Sequence, residues 1–460
     1  MEPRSLEFIA TACGGQLLSG SPDLLANRVC TDSRHVQQGD LFIAIAGDKF
    51  DGHDFIPQAA QKKVAAVLVE RTKAPAGRIG CPVITVGNTR QALGQLAAAC
   101  RQEFTLPVVA VAGSNGKTTT KELIASILRE KFNTLHSEAS FNNDIGVPLT
   151  LLKLDRATQA AVLEVGTNHP GELAPLVRLI QPQFGVITSI GREHLEFFND
   201  LAGVAQEEGG LAELLPPTGK LFLPGDSEWT GPIARRGRAP VVRVGLGAEN
   251  DWRAHDICMG TAGMTFRVES PRAGFSGEFR VHLLGRHQVT NALLGLAVAA
   301  ELGLSAGQAR QGLARCPPPK MRLQLREARG FQILDDSYNA NADSMLAALQ
   351  TLQELPCSGR RIAVLGDMAE LGAQAVPAHV EVGKLVAKLG IQRLIIVGEQ
   401  ARGTAEAARA GGMMNVNEYA DVESVARALG TEVRPGDLVL VKASRAAGLE
   451  RIVAALRGEP

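Results

Sequence analysis

Residues 108–122 read VVAVAGSNGKTTTKE, an apolar run that leads into a glycine-containing turn and then into a helical pattern. A buried strand followed by such a turn and a helix is typical of phosphate binding. Glycine lets backbone N–H groups approach phosphates closely, and the helix N-terminus favours negative charge. Lys117 is placed to reach the phosphates, and the Thr118 hydroxyl can ligate Mg²⁺. The stretch therefore predicts a strand, a phosphate loop and a helix.

The match to the general phosphate-loop pattern GxxxxGK[ST] is incomplete, because Val111 stands at its first glycine position. A glycine-rich turn beside a surface lysine is the alternative interpretation. The strand and helix on either side favour phosphate binding, so we expect Mg²⁺-ATP at this loop. The predicted contacts of ATP with the loop are Gly113, Ser114, Asn115, Gly116, Lys117, Thr118 and Thr119.

Apolar runs alternate with helical patterns after the phosphate loop, which predicts βαβ units and parallel sheets. With 460 residues, the chain exceeds what one core usually supports, so we expect three domains. The Leu106-Pro107 step and the prolines at 317–319 are natural boundaries. The fold is predicted to be α/β, with a smaller α/β domain at 1–106, a central parallel-sheet domain of the P-loop ATPase type at 107–318 and a Rossmann-like domain at 319–460.

Charge and cysteine content exclude several classes of partner and cofactor. Lys plus Arg equals Asp plus Glu at 48 each, so no overall field attracts nucleic acid or an anionic membrane. The seven cysteines form no CxxC pair, which argues against a zinc site and a disulfide framework. No apolar stretch is long enough to span a bilayer. We expect a cytoplasmic, monomeric protein that binds neither nucleic acid nor membrane.

Two side chains that could hold a metal follow predicted strands. Glu164 ends the AAVLEV run, and His194 follows FGVITSI. At the carboxyl edge of a parallel sheet both would face the phosphate loop, where a carboxylate can bind Mg²⁺ directly or through water. Alone, Glu164 could equally be a solvated strand end, and His194 a structural histidine. Their shared placement favours a metal site.

Further motifs follow in order: TDSR at Thr31, FNNDIGVP at Phe141, EVGTNHPGEL at Glu164, HLEFF at His194, GRHQVTNALLGLAVA at Gly285, DDSYNANADS at Asp335 and LGDMAELG at Leu365. Together with the phosphate loop they resemble the Mur ligases over nearly the whole chain. The resemblance implies a first domain that holds the UDP part of the substrate, a central domain that binds ATP, and a Rossmann-like last domain.

Within the family, the FNN, DDSYNAN and LGDMAELG elements resemble the branch that joins D-alanyl-D-alanine to UDP-N-acetylmuramoyl-tripeptide. The implied reaction begins when ATP phosphorylates the terminal carboxylate of the tripeptide. The dipeptide amine then attacks the acyl phosphate and gives the UDP-muramoyl-pentapeptide precursor of peptidoglycan. A carboxylate needs such activation because it is a poor acyl donor. The third residue of the tripeptide, diaminopimelate or lysine, is left open.

The resemblance also implies roles for single residues. Thr118 and Glu164 would hold a first Mg²⁺ and His194 a second. Nucleotide contacts outside the loop would be Asn291, Arg322 and Asp336. Substrate contacts would be Ser33, Arg34, Asn142, Asn143, Tyr338, Asn339, Asn341, Ser444 and Arg445.

One departure from the family concerns the metal site. The family often carries a lysine about fourteen residues after HLE, and its carbamoylation supplies a carboxylate that helps to place magnesium. Counting from His194, that position is Glu208 in this chain. We expect Glu208, or alternatively Glu207, to replace the carbamate as a catalytic group. An exposed helix glutamate is the simpler interpretation.

Other functions fit the sequence less well than ATP-dependent ligation does. A non-catalytic binder of UDP-linked precursors on the same scaffold is opposed by the presence of Lys117, Thr118, Glu164 and His194. Another Mur ligase, or a folylpolyglutamate synthase, would differ at the FNN and DDSYNAN elements. A nucleic-acid ATPase should show a basic face with interleaved aromatic residues, and aromatic residues here make up only 4%.

Overall fold

The protein was studied as a computed structural model that describes residues 1–47, 49–77 and 79–459. The described chain falls into two compact units. The first comprises Met1–Ala110, Phe132–Thr167 and Leu173–Gln183, and the second comprises Val111–Lys131, Asn168–Glu172 and the chain from Phe184 onward. The limits predicted for three domains remain a prediction.

The first unit contains a five-stranded sheet. Its strands run in the order Gln16–Ser19, Val83–Val86, Ala66–Glu70, Asp40–Ile43 and Arg28–Cys30. The first of these is antiparallel to its neighbour and the others are parallel. Arg4–Ser5 and Leu25–Ala26 form a separate antiparallel pair. The helices of this part are Leu6–Ala12, Ile56–Gln61 and Thr89–Arg101, with short 3-10 turns at Gly52–Phe55 and Arg71–Lys73.

Two further parallel strands of the first unit, Thr134–His136 and Ala160–Glu164, bring Glu164 to a strand end. The longer strand is buried along its whole length, as expected of a continuous apolar run in a parallel sheet. Helices Gly146–Leu151 and Leu173–Ile180 accompany this pair. The apolar strand Val108–Ala112 carries the chain from the first unit into the second.

The second unit begins with the helix Lys117–Leu128. Its first group of strands runs in the order Gly277–Val281, Gly263–Glu269, Trp252–Gly260, Val241–Gly245, Lys220–Pro224 and Phe184–Ile187. Pairing is parallel from Phe184–Ile187 to Trp252–Gly260, and the two remaining strands add an antiparallel hairpin extension. The helices of this part are Leu195–Phe198, Leu201–Glu208, Gly210–Leu214, Thr230–Ala234, His287–Glu301 and Ala306–Arg315. Trp252–Gly260 thus pairs in parallel with Val241–Gly245 on one side and antiparallel with Gly263–Glu269 on the other.

The second unit also contains a six-stranded sheet. Its order is Gln324–Ala328, Phe331–Asp335, Leu438–Lys442, Arg361–Gly366, Arg393–Val397 and Val416–Tyr419. All pairs are parallel except the first, a hairpin. Apolar clusters cover both faces, which is the doubly wound arrangement. The helices are Ala342–Glu354, Ala375–Lys388, Arg402–Ala410, Val422–Glu432 and Glu450–Arg457, with 3-10 turns at Gly372–Gln374 and Arg445–Ala447.

These sheets confirm the predicted α/β class. Three of the apolar runs that alternate with helical patterns, RIAVLG, RLIIVG and DLVLVK, form buried strands. The edge strand Val416–Tyr419 carries no buried residue, so hydrophobic pattern alone could not reveal it. Among the described residues no helix is both long and apolar enough to cross a membrane.

Candidate active site around the phosphate loop

The predicted strand, loop and helix are present. The strand ends at Ala112, and the helix begins at Lys117 with Thr118 and Thr119 buried in its first turn. Gly113 has a φ of +111°, and a Cβ atom there would lie 2.6 Å from the Thr188 hydroxyl. Only glycine fits such a position without strain. The glycine needed for a tight turn is thus supplied by Gly113, although Val111 occupies the first position of the general pattern.

Asn291, predicted near the adenine, lies beside the phosphate loop. Gly116 has a φ of +87°, and a Cβ atom on it would come within 2.8 Å of Asn291 Oδ1. The buried side chain of Asn291 donates to Gln288 Oε1 at 2.8 Å, which orients its amide. The N-terminal part of the helix His287–Glu301 therefore packs directly against the loop.

The segment that follows strand Phe184–Ile187 fixes the loop. The N–H of Ser114 donates to the Ser189 carbonyl at 2.9 Å, and the N–H of Asn115 donates to Ser189 Oγ at 2.9 Å. Gly191 N–H donates to Ser114 Oγ at 2.8 Å. The phosphate loop is thus held by a neighbouring strand end, as well as by its own turn.

Lys117 folds back over the loop. Its ammonium donates to the Gly113 carbonyl at 2.5 Å and to the Ser114 carbonyl at 3.1 Å. It also forms an ion pair with Glu193 Oε2 at 3.3 Å. Both side chains are largely buried, so their attraction is weakly screened. Glu193 was not predicted, although it shares with His194 the position just after a sheet strand.

Glu208 reaches the same loop from the end of helix Leu201–Glu208. Its Oε2 accepts a hydrogen bond from Gly113 N–H at 2.7 Å, while the side chain is buried. Oε1 is also buried and has no hydrogen-bond partner in the described part of the chain. Burial raises the pKa of Glu208 to about 8, against the opposing effect of the Lys117 charge. The exposed-helix interpretation of Glu208 is wrong, because the carboxyl group lies inside, on the phosphate loop.

The raised pKa of Glu208 predicts a pH effect on stability in metal-free buffer. Its unfolded pKa is near 4.5 and its folded pKa is about 8. Between these values the folded state holds one proton more, so stability falls as pH rises, by up to about 1.4 kcal/mol per pH unit. From pH 6 to pH 8 the wild-type protein should lose about 2 kcal/mol relative to Glu208→Gln.

Denaturant unfolding of both proteins at the two pH values, with chelator present, measures this difference. Titrating groups that do not interact with Glu208 are common to the two proteins and cancel. If the free energy of unfolding changed equally with pH in the wild-type protein and in Glu208→Gln, Glu208 would not titrate in this range.

Glu164 is buried at the end of strand Ala160–Glu164. Its Oε1 accepts a hydrogen bond from Asn142 Nδ2 at 2.8 Å, and its Oε2 has no hydrogen-bond partner among the described residues. The predicted metal ligand and a predicted substrate contact therefore touch each other. Asn143 instead turns to the backbone, where its Oδ1 accepts from Gly146 N–H at 2.9 Å at the start of helix Gly146–Leu151.

The available carboxylates determine whether the site can hold magnesium. Within the described ranges no three His, Cys, Asp or Glu side chains come together as a ready-made metal cluster. Magnesium is usually held through one or two carboxylates, waters and substrate phosphates, so no such cluster is required. Glu164 and Glu208 each bury a carboxyl oxygen without a donor, which is costly unless a cation or proton compensates. These residues fit magnesium.

His194 follows strand Phe184–Ile187 and takes a left-handed backbone conformation with a φ of +49°. Its Nδ1 lies 2.5 Å from Glu370 Oε2. The residues after it, Leu195 and Phe198, are buried and anchor the short helix. The imidazole is thus held by a carboxylate that was not predicted.

Several residues predicted in the last domain meet the phosphate loop. Arg322 Nη2 donates to Thr118 Oγ1 at 3.3 Å, and its guanidinium stacks over the Tyr338 ring with 4.2 Å to the centroid. Asn341 Nδ2 donates to Asn115 Oδ1 at 2.9 Å and also caps the helix Ala342–Glu354. Arg322 is therefore not a free surface charge.

The remaining predicted residues of this domain form a second group. Asp336 pairs with the buried Lys442 at 2.7 Å, and Lys442 Nζ donates to the Asn339 carbonyl at 2.8 Å. Arg445 N–H donates to Asn339 Oδ1 at 3.2 Å, and the buried Ser444 accepts from Ala369 N–H at 2.7 Å. These ion pairs and hydrogen bonds join the ends of strands Phe331–Asp335 and Leu438–Lys442. Lys442 takes part in them although it was not predicted as a site residue.

Ser33 and Arg34 lie in the first unit, in the turn after strand Arg28–Cys30. Ser33 is buried, and its carbonyl accepts from Lys62 Nζ at 3.1 Å. Arg34 is exposed and forms a two-point pair with Asp32, which holds the pKa of that carboxyl well below its usual range. An exposed arginine in this turn is accessible to an anionic ligand.

Comparison with known proteins matches three family descriptions to the chain. "Mur ligase family, catalytic domain" covers residues 26–101, "Mur ligase middle domain" covers 111–299, and "Mur ligase, glutamate ligase domain" covers 321–445.

Among curated relatives, the UDP-N-acetylmuramoyl-tripeptide--D-alanyl-D-alanine ligase of Escherichia coli (strain K12) is 38% identical over 95% of this chain and 94% of its own. The enzyme of the same name from Bacillus subtilis (strain 168) is 35% identical over the full length of both chains.

Solved structures agree with the sequence comparisons. A crystal structure of MurF from Acinetobacter baumannii superposes with a TM-score of 0.90 at 30% identity, covering 100% of both chains. MurF ligase from Thermotoga maritima in complex with ADP gives 0.82 at 27% identity, covering 95% of this chain and 99% of that one. The chain therefore belongs to the Mur ligase family, on the branch of the UDP-N-acetylmuramoyl-tripeptide–D-alanyl-D-alanine ligases.

Proposed function

We propose that the protein ligates D-alanyl-D-alanine to UDP-N-acetylmuramoyl-tripeptide in an ATP-dependent reaction that supplies the pentapeptide precursor of peptidoglycan. The observation that carries the proposal is the end-to-end similarity to enzymes named for this ligation, at up to 38% identity. The residues around the phosphate loop provide the charges that the reaction requires.

Phosphoryl transfer requires mainly positioning and charge neutralisation. In the proposed first step, an oxygen of the tripeptide carboxylate bonds to the γ-phosphorus while the bond to the β–γ bridging oxygen breaks and ADP leaves. Lys117 supplies positive charge at the loop, and Glu193 keeps its ammonium in place. Arg322 adds a second positive charge beside Thr118. In the second step the dipeptide amine attacks the acyl carbon, phosphate leaves, and the amine loses a proton.

Magnesium would neutralise charge on the phosphates and on the reacting carboxylate. We propose Thr118 and Glu164 as residues that hold one ion and His194 as a residue that holds another, with Glu208 in place of the carbamoylated lysine. The buried oxygens of Glu164 and Glu208 without a donor support these assignments. Asn142, which donates to Glu164, would keep its carboxylate oriented.

We propose a separate group of contacts for each part of the substrates. Ser33 and Arg34 would meet the UDP part, where the exposed guanidinium can pair with phosphate. Asn142 and Asn143 would meet the muramoyl-peptide. Around the incoming dipeptide we propose Tyr338, Asn339, Asn341, Ser444 and Arg445, and around the nucleotide Asn291, Arg322 and Asp336.

A ligation assay tests the proposal. Purified protein is given Mg²⁺-ATP, D-alanyl-D-alanine and UDP-tripeptide with either diaminopimelate or lysine as third residue, and phosphate release is followed. We expect release with at least one tripeptide, and none when D-alanyl-D-alanine is replaced by glutamate or L-alanyl-L-alanine. Binding of UDP-tripeptide without phosphate release would favour a non-catalytic binder. Release with a single amino acid would assign another member of the family.

We further propose that the protein acts as a monomer in the cytoplasm, and that it binds neither nucleic acid nor membrane. The equal numbers of basic and acidic residues support the last point. In the described chain all seven cysteines are free, which fits a reducing compartment. Light scattering of the purified protein measures its mass in solution.

A further inference from the structure

The side chain of Glu370 meets the imidazole of His194. Glu370 lies in the loop after strand Arg361–Gly366, and its Oε2 is 2.5 Å from His194 Nδ1. An ionised carboxylate can only accept a hydrogen bond, so Nδ1 must carry the proton. The other ring nitrogen, Nε2, then offers its lone pair in the neutral imidazole, and only a nitrogen in this state can ligate a metal ion.

The backbone on both sides of this contact is unusual. His194 has a φ of +49° and Glu370 a φ of +60°, and both are non-glycine residues in the left-handed region. Each such residue costs of order 1 kcal/mol and persists only where the surroundings enforce it. Glu196 N–H donates to the Glu370 carbonyl at 3.0 Å, and a Cβ atom on Gly372 would lie 3.0 Å from Glu196 Cα. The segment around His194 and the loop around Glu370 are thus in close contact.

Stability alone does not account for the pair. The Glu370 side chain is 46% exposed, and at such exposure even a fully charged pair contributes little, about 0–1 kcal/mol. Two left-handed residues that meet through one short contact therefore indicate a functional constraint. A carboxylate on the far nitrogen of a ligating histidine orients the ring and fixes the tautomer.

We propose that Glu370 is a positioning residue for His194, which holds the imidazole with Nε2 turned toward magnesium. This inference rests on the proposed role of His194 as a metal-holding residue. Glu370, in the LGDMAELG segment, would then support the magnesium site through His194 and would not itself bind the ion. Loss of such a partner typically lowers metal affinity about 10- to 100-fold.

A neighbouring ion pair provides the matched control. Glu381 is also 46% exposed and pairs at 2.6 Å with Arg192, two residues before His194. If Glu370 only joined the two segments, Glu381→Ala and Glu370→Ala should have similar effects. If Glu370 positions the imidazole, only Glu370→Ala should affect the state of His194 and the magnesium requirement.

The first measurement uses the full-length, metal-free protein labelled with ¹⁵N-histidine. Long-range ¹H–¹⁵N spectra report which ring nitrogen carries the proton, and His194→Gln identifies the signal. We expect the Nδ1–H tautomer in the wild-type protein and in Glu381→Ala, and a shift toward Nε2–H in Glu370→Ala. Glu370→Gln keeps an oxygen acceptor and should retain the Nδ1–H form. An unchanged tautomer in Glu370→Ala would overturn the proposal.

The second measurement is ligation as a function of Mg²⁺ concentration. Glu370→Ala should raise the half-saturating concentration about 10- to 100-fold with little change in kcat at saturation, and Glu370→Gln should restore most of the loss. If His194→Gln leaves the magnesium requirement unchanged, the proposed role of His194 fails. The tautomer measurement would still test the contact between Glu370 and His194, because it does not depend on magnesium. Equal losses in Glu370→Ala and Glu381→Ala, with no change of tautomer, would assign Glu370 to docking and overturn the proposal.

Discussion

Replacing Lys117 with methionine is expected to lower kcat for phosphate release by about 10³-fold, equivalent to about 4 kcal/mol of lost transition-state stabilisation. The ammonium lies on the carbonyls of Gly113 and Ser114 and beside the Glu193 carboxylate, so the loop itself holds this charge in place. Methionine keeps an unbranched side chain of similar length and removes the charge. Phosphate release at saturating substrates measures the loss.

Lys131→Met is the matched control for Lys117→Met. Lys131 is exposed just beyond the other end of the same helix, where its ammonium donates to the Gly303 carbonyl at 2.8 Å. Its loss removes the same charge from the chain and should leave kcat within about twofold of the wild-type value, as is usual for surface changes. If Lys117→Met kept a tenth or more of wild-type kcat, the proposed role of this ammonium would be wrong.

The parts of the site that could be predicted are those that follow from local sequence. Glycines next to a buried strand and a helix start define the loop from Gly113 to Gly116, and each has the positive φ that only glycine adopts easily. Glu164 could be placed at a strand end because AAVLEV is a continuous apolar run. In both cases the neighbouring residues along the chain determine the local structure.

Contacts between distant segments could not be predicted in this way. Glu193, Glu370 and Lys442 take part in the site through contacts of charged side chains that depend on how elements far apart in sequence pack. Nothing in the local pattern shows that Glu208 is buried, since QEEGG reads as the polar end of a helix. The resemblance to a family supplied its position, and the structure supplied its hydrogen bond to Gly113.

Glu208→Ala is expected to raise the Mg²⁺ concentration for half-maximal ligation about 10- to 100-fold, because the variant removes a carboxylate proposed to help place the ion. The two oxygens of this carboxylate have different surroundings. Oε2 fixes the phosphate loop through Gly113 N–H, and Oε1 is buried without a donor. An alanine variant removes both, so it cannot by itself distinguish a metal role from a loop-holding role.

Glu208→Gln separates the two roles of Glu208. The amide oxygen can still accept from Gly113 N–H in a side chain of similar size, whereas the negative charge is gone. A metal role predicts that the glutamine variant needs nearly as much Mg²⁺ as the alanine variant. A loop-holding role predicts that it behaves like the wild-type protein, and that result would refute the metal assignment.

Glu207→Ala tests the alternative that the neighbouring carboxylate replaces the carbamate. Glu207 Oε2 accepts from Gly171 N–H at 2.8 Å, away from Gly113, so its loss should leave the Mg²⁺ requirement near that of the wild-type protein. Glu208→Lys provides a gain-of-function test, because a lysine at this position could react with carbon dioxide to give the carbamate that the family resemblance implies. If a carboxylate at this position is what magnesium requires, bicarbonate should restore ligation to Glu208→Lys and leave Glu208→Gln unchanged.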